Sequence, residues 1–290
     1  MNDLTIIVVC YNSSAILPGL LASLPKHVPV TLVNNSPYDR LDHLVSHQVR
    51  VISSDENVGF GVACNSGAST VDTQYILFLN PDTRLQVGAL DALMKGAESF
   101  PYASAFNPII VNTNGKVCNK RRSVLLPSGH RLSAQAIQVG GIVPVLTGAA
   151  LMVRTDAFFE VGGFDPAIFL YHEDDDLSIR LNKVGPLRII ESAKVLHKGG
   201  YGSGDRIASA GIKAFHMGQS RVYAMRKHKR PMPLLRSLGW AMLQLLSPVT
   251  WTSRRKFTKQ INFLRGVLSA LTTDSRLERL KTLITRMLLR

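Results

Sequence analysis

Short apolar runs alternate with helical patterns along the first part of the chain. The apolar runs are rich in β-branched residues and predict strands near 4–10, 30–34, 49–53, 75–79 and 104–111. The segments between them have the spacing of helices, at 14–24, 39–47, 61–70 and 86–99. This alternation is typical of βαβ units, so the sequence predicts an α/β fold with a mostly parallel central sheet.

Polar side chains follow four of the predicted strands. These clusters are Tyr11-Asn12, Asn34-Asn35-Ser36, Asp55-Glu56-Asn57 and Asn80-Pro81-Asp82. In parallel sheets, ligands bind at the carboxyl ends of strands, where loops and helix N-termini present backbone N–H groups. We therefore expect the four clusters to form one binding site at a single edge of the sheet.

A dense acidic run, Glu173-Asp174-Asp175-Asp176, lies in the second half of the chain, and a lone histidine, His197, follows after another apolar stretch. The run is predicted to begin a helix, because carboxylates in a first turn interact favourably with the helix dipole. Crowded carboxylates also raise the pKa of at least one member, which suits a general base. From the residues alone, both readings stay open: helix capping and acid–base chemistry.

The periodicity fades between residues 112 and 144, where five basic residues occur among Gly, Pro and Ser. A connection of this length is usually functional or mobile, and we expect it to contribute contacts to an acceptor, together with 198–210. Order resumes at 146–153, and further strands are predicted near 187–191 and 194–197.

The charge of the chain is concentrated at its C-terminal end. Residues 226–290 carry 15 Lys and Arg against two acids, whereas residues 1–225 carry 19 bases and 18 acids. We therefore predict a nearly neutral α/β domain at 1–225 and a basic helical extension at 226–290. The last predicted helix of this extension has an apolar face made by Leu277, Leu280, Ile284 and Met287.

The basic extension allows three kinds of partner. Lys and Arg beside Leu, Ile and Trp faces favour an anionic membrane surface. Nucleic acid is disfavoured because no nucleic-acid-binding motif is present, although the net charge of +14 admits it. A solvated helical face that closes a homodimer is the third reading.

Three cysteines, Cys10, Cys64 and Cys118, form no CxxC pair, which fits a reducing compartment better than a disulfide scaffold. The chain opens directly into a strand pattern without the features of a signal peptide. The most apolar segment of the extension, 234–246, is too short to cross a bilayer, which needs about 20 apolar residues. We expect a cytoplasmic protein that is peripheral at the inner face of the cell membrane.

Several motifs occur together in a familiar order. They are Cys10-Tyr-Asn-Ser13, Asn57-Val-Gly-Phe-Gly-Val-Ala-Cys-Asn65, Leu79-Asn-Pro-Asp-Thr83, Thr147-Gly-Ala149, Gly162-Gly-Phe-Asp165 and Tyr171-His-Glu-Asp-Asp-Asp-Leu177, with His197 beyond them. Over about residues 4–200 the chain resembles family 2 inverting glycosyltransferases, particularly the rhamnosyltransferase-like branch that builds bacterial surface polysaccharides such as O-antigen. The resemblance implies a GT-A fold, which is a nucleotide-binding α/β sandwich.

The resemblance also implies roles for individual residues. Asp82 and His197 would bind a divalent cation, Mg²⁺ or Mn²⁺, and Asp174 would be the general base, with Glu173 as its neighbour and Asp176 as structural support. A metal held by oxygen ligands stabilises the charge that develops on a leaving diphosphate. The alternative for Asn80-Pro81-Asp82 is an ordinary turn, and the alternative for His197 is a packed or surface histidine.

Other residues would bind the nucleotide. Tyr11 would stack on the base, Asn34, Asp55 and Asn57 would contact its edge and the ribose, and Asn80 would lie in the motif that meets the diphosphate. The family usually has Val-Asp-Asn where this chain has Val33-Asn34-Asn35, so a neutral amide replaces the carboxylate that accepts the pyrimidine N3–H. Asn57 has a second reading, as a cap for the helix that begins near residue 61.

The function implied is transfer of a sugar, best L-rhamnose from dTDP-L-rhamnose, to a lipid-linked or polysaccharide acceptor. A UDP-hexose or UDP-galactofuranose donor is the alternative within this class. Outside it, the chain could be a membrane-bound nucleotide-binding scaffold without turnover, or a nucleic-acid-binding protein that uses residues 226–290.

Overall fold

The computed structural model describes residues 3–199 and 206–272. The chain divides into two compact units. The first unit runs to Phe169 and resumes at Glu173, and the second combines Leu170–His172 with the helices after residue 205.

The first unit contains the strands and six helices of the described residues. The strands are β1 Leu4–Cys10, β2 Val30–Asn34, β3 Val49–Ser53, β4 Tyr75–Leu79, β5 Thr83–Leu85, β6 Ala105–Val111, β7 Gly141–Val143, β8 Ala150–Arg154 and β9 Leu187–His197. The helices are α1 Leu17–Leu21, α2 Phe60–Ala68, α3 Ala89–Ser99, α4 Ala134–Val139, α5 Thr155–Glu160 and α6 Glu173–Leu181. Short 3₁₀ helices occupy Asp42–Leu44 and Ser128–His130.

Within the described residues, nine strands form one mixed sheet in the order β3-β2-β1-β4-β8-β6-β9-β5, and β7 pairs with β9. Strands β1 to β4 pair in parallel, as do β6 and β9. Strand β8 runs antiparallel to both β4 and β6, so β4 and β6 point the same way. The predicted α/β fold with a mostly parallel sheet is confirmed.

Both faces of the central strands are buried. In β1, Ile6 and Val8 belong to one apolar cluster, while Ile7 and Val9 belong to another on the opposite face. Successive side chains of a strand point to opposite faces, and a parallel sheet is covered by helices on both. This is why the central strands read as continuous apolar runs rather than as alternating patterns.

Strand β9 bends where it passes β6. Ile190 lies opposite Pro108, but Lys194 lies opposite the next residue, Ile109, so β9 carries extra residues at this point. Proline has no N–H to donate to a neighbouring strand, and it is found at bulges for that reason. The two strands predicted near 187–191 and 194–197 are therefore one strand with a bulge.

The helix predicted at 39–47 is wrong. Only Asp42–Leu44 forms a turn of 3₁₀ helix, while Asp39 accepts hydrogen bonds at its Oδ2 from the backbone N–H groups of Ser13 and Ser14, at 2.7 and 3.1 Å. Aspartate side chains that bind backbone N–H groups compete with helix formation. The segment folds as a loop that supports the end of β1.

The second unit is helical. Its helices are α7 Arg206–Lys227, α8 Pro233–Leu246, α9 Pro248–Trp251 and α10 Arg254–Thr272. A Cβ at Gly266 on α10 would lie 1.9 Å from the carbonyl oxygen of Phe215 on α7, so only glycine permits the close approach of these helices. Helix α7 crosses the boundary at residue 225 that the charge distribution predicted, and it groups with the second unit.

The length and apolar character of the helices show whether any of them could span a membrane. Across residues 3–199 and 206–272, no helix combines the length and the apolar character that spanning a bilayer requires. The predicted apolar face of residues 277–287 lies outside the described residues.

An aromatic cluster provides a test of the core of the first unit. The Phe78 ring packs 5.3 Å from both Phe158 and Phe164, and its side chain is 1% exposed. We expect Phe78→Ala to lower the free energy of unfolding by about 3–5 kcal/mol, because it removes a buried ring and leaves a cavity. Denaturant unfolding followed by circular dichroism measures this, with the exposed Tyr38→Ala as the control. Equal effects of the two substitutions would contradict the described core.

Candidate functional site

The turn after β4 carries Asp82, one of the carboxylates predicted to form the site. The Asn80 N–H donates to the carbonyl oxygen of Ala149 at 3.0 Å, and the Thr83 hydroxyl donates to the carbonyl oxygen of Asn80 at 2.7 Å. These bonds fix the turn on both sides of Pro81. Asp82 follows it and is buried.

Strand pairing brings His197 to Asp82. Thr83 in β5 lies opposite His197, the last residue of β9, and the Lys198 N–H donates to the carbonyl oxygen of Asp82 at 3.0 Å. The side chains then meet, with Asp82 Oδ1 and His197 Nε2 3.2 Å apart. The structure therefore joins two residues that are far apart in the sequence.

The pair fits a divalent cation that its substrate helps to bind. Two ligand atoms on adjacent positions of an octahedral ion lie about 3 Å apart when each bond is about 2.1 Å, and the Asp82 and His197 atoms have this separation. In the described part of the chain, no three His, Cys, Asp or Glu side chains form a complete metal cluster. Substrate phosphates and water would have to supply the remaining ligands, as they commonly do for Mg²⁺.

The second group of predicted site residues is the acidic first turn of α6, where all four carboxylate residues, Glu173–Asp176, are buried. Asp176 is fully buried, and its Oδ2 accepts from Arg180 Nε at 2.9 Å and lies 2.7 Å from Arg180 Nη2. Arg180 also donates from Nη1 to the carbonyl oxygen of Val161 at 2.7 Å. Arg180, held by Asp176, thus anchors α6 to Val161, the residue that follows α5.

Asp174 is held at both carboxylate oxygens. Its Oδ2 accepts the Gly148 N–H at 2.9 Å, and its Oδ1 accepts from Lys120 Nζ at 2.5 Å and from the Asp175 N–H at 2.9 Å. A Cβ at Gly148 would lie 3.2 Å from the Asp174 side chain, so glycine allows this close approach. The orientation of the carboxylate is fixed by three donors.

Lys120 bridges two of the acids. Its Nζ also contacts Asp175 Oδ1 at 3.0 Å, and its backbone N–H donates to Thr147 Oγ1 at 2.8 Å. Burial disfavours the ammonium ion, but the two carboxylates outweigh burial and raise the pKa of Lys120 above its usual range. In the sequence Lys120 is one of several bases in an irregular loop, and nothing local distinguishes it from the others.

The Asp82–His197 pair and the acidic turn of α6 lie at the same edge of the sheet. Leu79 at the end of β4 pairs with Ala150 at the start of β8, and Asn80 binds Ala149. One residue earlier, Gly148 binds Asp174. A continuous backbone segment, 148–150, therefore connects the Asn80–Asp82 turn with the acidic helix.

Asn107 fixes this connecting segment from the neighbouring strand β6. Its Oδ1 accepts the Thr147 N–H at 2.7 Å, and its Nδ2 donates to the carbonyl oxygens of Thr147 and Ala150 at 3.1 and 2.6 Å. The side chain is 1% exposed, so these bonds are shielded from water. Asn107 was missed by the sequence analysis, where it is hidden inside a strand pattern.

Glu173 differs from its neighbour Asp174. Its Oε2 atom is buried and accepts no hydrogen bond from the described residues. Burial raises the pKa of its carboxyl from 4.5 to about 8, and the charge of Asp174 adds to the rise. The first turn of α6 therefore contains two carboxylates paired with the Lys120 ammonium and one carboxyl that retains its proton near neutral pH.

The residues predicted to bind a nucleotide lie at the ends of β1 to β3. Cys10 pairs with Asn34 across β1 and β2, so Tyr11, with 42% of its surface exposed, follows at the same edge. Asn34 uses both ends of its amide locally, because Nδ2 donates to the Asp39 carbonyl oxygen at 2.9 Å and Oδ1 accepts the Ser36 N–H at 3.2 Å. Asp55 is exposed in the loop after β3.

Asn57 shapes the turn that leads into α2. Its Oδ1 accepts from Asn35 Nδ2 at 2.9 Å and from the Gly59 N–H at 3.0 Å. Gly59 has φ +88°, and a Cβ there would lie 2.6 Å from the Phe169 carbonyl oxygen, so this turn requires glycine. These contacts are structural, and binding of a nucleotide by Asn34, Asp55 or Asn57 stays a prediction.

Comparison with known proteins gives a family match and several similar proteins. The family model described as Glycosyl transferase family 2 matches residues 5–162. The chain is 29% identical to N-acetylglucosaminyl-diphospho-decaprenol L-rhamnosyltransferase of Mycobacterium tuberculosis, over 88% of this chain and 90% of that protein. It is 26% identical to rhamnosyltransferase WbbL of Escherichia coli, over 62% of this chain and 77% of that protein.

The fold resembles solved structures at low sequence identity. One is mannosyltransferase PcManGT from Pyrobaculum calidifontis in complex with GDP-Man and Mn²⁺, with a TM-score of 0.56 and 13% identity. The similarity covers 93% of this chain and 87% of that protein.

The protonated state of Glu173 predicts a pH-dependent stability. Between pH 4.5 and about 8 the folded protein keeps a proton that the unfolded chain has lost, so its contribution to stability falls as pH rises through this window. Glu173→Gln has no proton to lose, and we expect its unfolding free energy to lack this fall, by up to about 1.4 kcal/mol per pH unit. Denaturant unfolding at several pH values measures the difference, with the exposed Glu160→Gln as the control. Parallel stability curves for Glu173→Gln and the parent protein would contradict the assignment.

The bridging ammonium predicts a second effect on stability. Lys120→Met leaves the Asp174 and Asp175 carboxylates without the ammonium that joins them, and we expect a loss of about 2 kcal/mol, moderated by the partial exposure of the lysine. Lys116→Met removes an exposed lysine from the same loop and should change stability by less than about 0.5 kcal/mol. Thermal and denaturant unfolding at neutral pH compare the two variants. Equal stability would show that the ion pair contributes nothing.

Proposed function

Because the chain belongs to Glycosyl transferase family 2, we propose that it transfers L-rhamnose from dTDP-L-rhamnose to a lipid-linked glycan acceptor, with inversion at the anomeric carbon. The chain is a glycosyltransferase, and its similarity to a rhamnosyltransferase of Mycobacterium tuberculosis extends over 88% of its length. That similarity supports the proposed sugar. The name of that relative, which places its acceptor on decaprenol diphosphate, supports a lipid-linked acceptor.

The observation that best supports this reaction is that the Asp82–His197 pair and Asp174 lie at the same edge of the sheet. The Asp82–His197 pair and Asp174 are connected through the short segment at 148–150. A transferase needs one group that stabilises the leaving diphosphate and another that takes a proton from the acceptor. The Asp82–His197 pair and Asp174 provide groups of both kinds at one edge of the sheet.

Asp82 and His197 would hold a divalent cation, Mg²⁺ or Mn²⁺. When bound, the cation supplies positive charge to the leaving diphosphate. Asn80 lies two residues before Asp82, and its backbone bond to Ala149 keeps the turn in place while the donor binds.

Asp174 is assigned as the general base. The acceptor hydroxyl oxygen forms a bond to the anomeric carbon, the bond from that carbon to the diphosphate oxygen breaks with its electron pair leaving on the diphosphate, and the hydroxyl proton passes to the Asp174 carboxylate. A carboxylate has about four acceptor positions, so the three donors that orient Asp174 leave room for the hydroxyl. Attack opposite the leaving group inverts the configuration.

Glu173 contributes differently from Asp174. Its carboxyl retains a proton near neutral pH, because it is buried beside a charged neighbour. The proton on Glu173 removes the repulsion that a second buried carboxylate would exert at this turn. We therefore assign proton transfer to Asp174 and a supporting role to Glu173.

The nucleotide is proposed to lie at the ends of β1 to β3. Tyr11, after β1, is exposed and has an aromatic ring that could stack on the base. Asp55, after β3, is also exposed. The amide of Asn34 is engaged within its own loop. A UDP-hexose or UDP-galactofuranose donor is the second candidate, because uracil and thymine present the same N3–H to a binding site.

A donor panel tests the proposal. We expect dTDP-L-rhamnose to release nucleotide in the presence of a polyprenol diphosphate-linked N-acetylglucosamine acceptor, and UDP-galactose, UDP-glucose and UDP-galactofuranose to release it at least about tenfold more slowly. Asp174→Asn should lower kcat by at least about 100-fold, because it removes the proton acceptor. Asp82→Asn should lower the rate in a way that added Mn²⁺ fails to restore, whereas Mn²⁺ should restore the chelator-treated parent protein.

The control for these variants is Asp91→Asn, an exposed aspartate on α3, which should keep the parent rate. Turnover of a UDP-sugar in place of dTDP-L-rhamnose would overturn the donor. Full activity of Asp174→Asn would overturn the base. No turnover with any donor, together with nucleotide binding, would favour a scaffold instead of an enzyme.

A further inference from the structure

Helices α8 and α9 expose an apolar surface in the second unit. Its side chains are Leu235, Trp240, Met242, Leu243, Leu246, Val249 and Trp251. Leu246 and Trp251 are 74% and 68% exposed. We call this set the α8–α9 face. A contiguous apolar surface of this kind marks an interaction site in a water-soluble unit.

About half or more of the surface of each of these side chains is exposed, so the face adds little to the packing of the second unit. Its members Leu235, Met242 and Leu246 recur at helical spacing along one side of α8. The adjacent side of the helix carries the residues that pack within the unit, among them Leu234, Leu238 and the buried Ala241. Helix α8 therefore carries more apolar side chains than those that pack within residues 206–272.

Arg236 is the one charged residue within the span of the face, residues 235–251, and charge is abundant on both sides of it. Residues 237–253 contain no charged side chain. Basic residues precede and follow this stretch in two groups, Arg226, Lys227, Lys229 and Arg230 on one side and Arg254, Arg255, Lys256 and Lys259 on the other. Residues 206–272 as a whole contain 13 Lys and Arg and not one Asp or Glu.

Both tryptophans of the chain lie on the face. The Trp251 indole N–H donates to the carbonyl oxygen of Leu245 at 2.9 Å, and its ring packs 5.0 Å from the ring of Phe257. These contacts hold the Trp251 ring in a fixed orientation while most of its surface stays exposed. Tryptophan is enriched at membrane interfaces, where its apolar ring and polar N–H meet different surroundings.

We propose that the α8–α9 face inserts into the headgroup region of a bilayer rich in anionic lipid, with the two basic groups lying over the lipid phosphates. An interfacial helix of this type buries its apolar side just below the headgroups and keeps cations at the surface. Such docking would hold the enzyme at the surface that contains the proposed lipid-linked acceptor. The docking itself does not depend on which sugar is transferred.

Other occupants fit the face less well. A second copy of this chain would bring another segment with 13 bases and no acid against the first, so like charges would oppose the contact. A nucleic acid would satisfy the basic groups, but it would leave the leucine and methionine side chains in water. An anionic bilayer satisfies both the apolar and the basic parts.

Vesicle binding by the full-length protein tests the proposal. We expect sedimentation with phosphatidylglycerol-containing vesicles to be at least about tenfold stronger than with pure phosphatidylcholine vesicles, and to weaken as salt is raised. The intrinsic fluorescence should shift to shorter wavelength on binding, because both tryptophans would leave water. Equal binding to both kinds of vesicle, or no shift, would overturn the proposal.

Two variants separate the apolar and basic contributions. Leu246→Asp places a charge on the face and should reduce vesicle partitioning at least about tenfold. Val87→Asp makes the same kind of change at a fully exposed position of the first unit and should leave partitioning unchanged. The double variant Arg255→Gln with Lys256→Gln should weaken binding and reduce its dependence on salt.

Further measurements separate the competing occupants and the two proposals. Concentration-dependent dimerisation that Leu246→Asp abolishes, without vesicle binding, would assign the face to a second copy. Tight RNA binding without vesicle binding would assign the basic groups to nucleic acid. Turnover of Leu246→Asp with a short-chain, water-soluble acceptor should equal that of the parent protein, so a wrong donor and a wrong docking surface give different results.

Discussion

The candidate site depends on one strand that runs against its neighbours. Because β8 lies antiparallel between β4 and β6, its first residue, Ala150, is placed beside the last residue of β4. The segment before β8 must then cross the carboxyl edge of the sheet. If β8 were parallel to β4, the segment after β8 would lie at this edge instead. This segment supplies the Gly148 N–H that orients Asp174 and the Ala149 carbonyl that fixes Asn80.

The short connection between β4 and β5 is a second constraint on the site. Only three residues join β4 to β5, although β8, β6 and β9 lie between these two strands in the order of pairing. A connection this short requires the sheet to curve until the end of β9 reaches the end of β4. The curvature brings His197 to Asp82, and the bulge opposite Pro108 changes the register of β9 just before that point.

The features that could be predicted from the sequence are those that local patterns determine. Buried strands are continuous apolar runs, and their polar ends are visible without any structure, so β1 to β4 and Asp82 could be identified. The meeting of Asp82 and His197 depends on strand order and register, which periodicity does not contain, and it was reached only through a family resemblance. Asn107 and Lys120 were missed for the same reason, since each acts through contacts that are distant in sequence. The helix predicted at 39–47 failed because Asp39 binds the loop after β1.

The two adjacent acids at the start of α6 show how position divides similar groups into different roles. Asp174 faces the Lys120 ammonium and two backbone N–H groups, all of which favour a carboxylate. Glu173 is buried without such donors at Oε2 and retains its proton near neutral pH. If both were charged, each would raise the cost of ionising the other in a region with little water. Lys120 reaches Asp174 from a long irregular loop, so under the proposed assignment this loop orients the general base even though its sequence shows no motif.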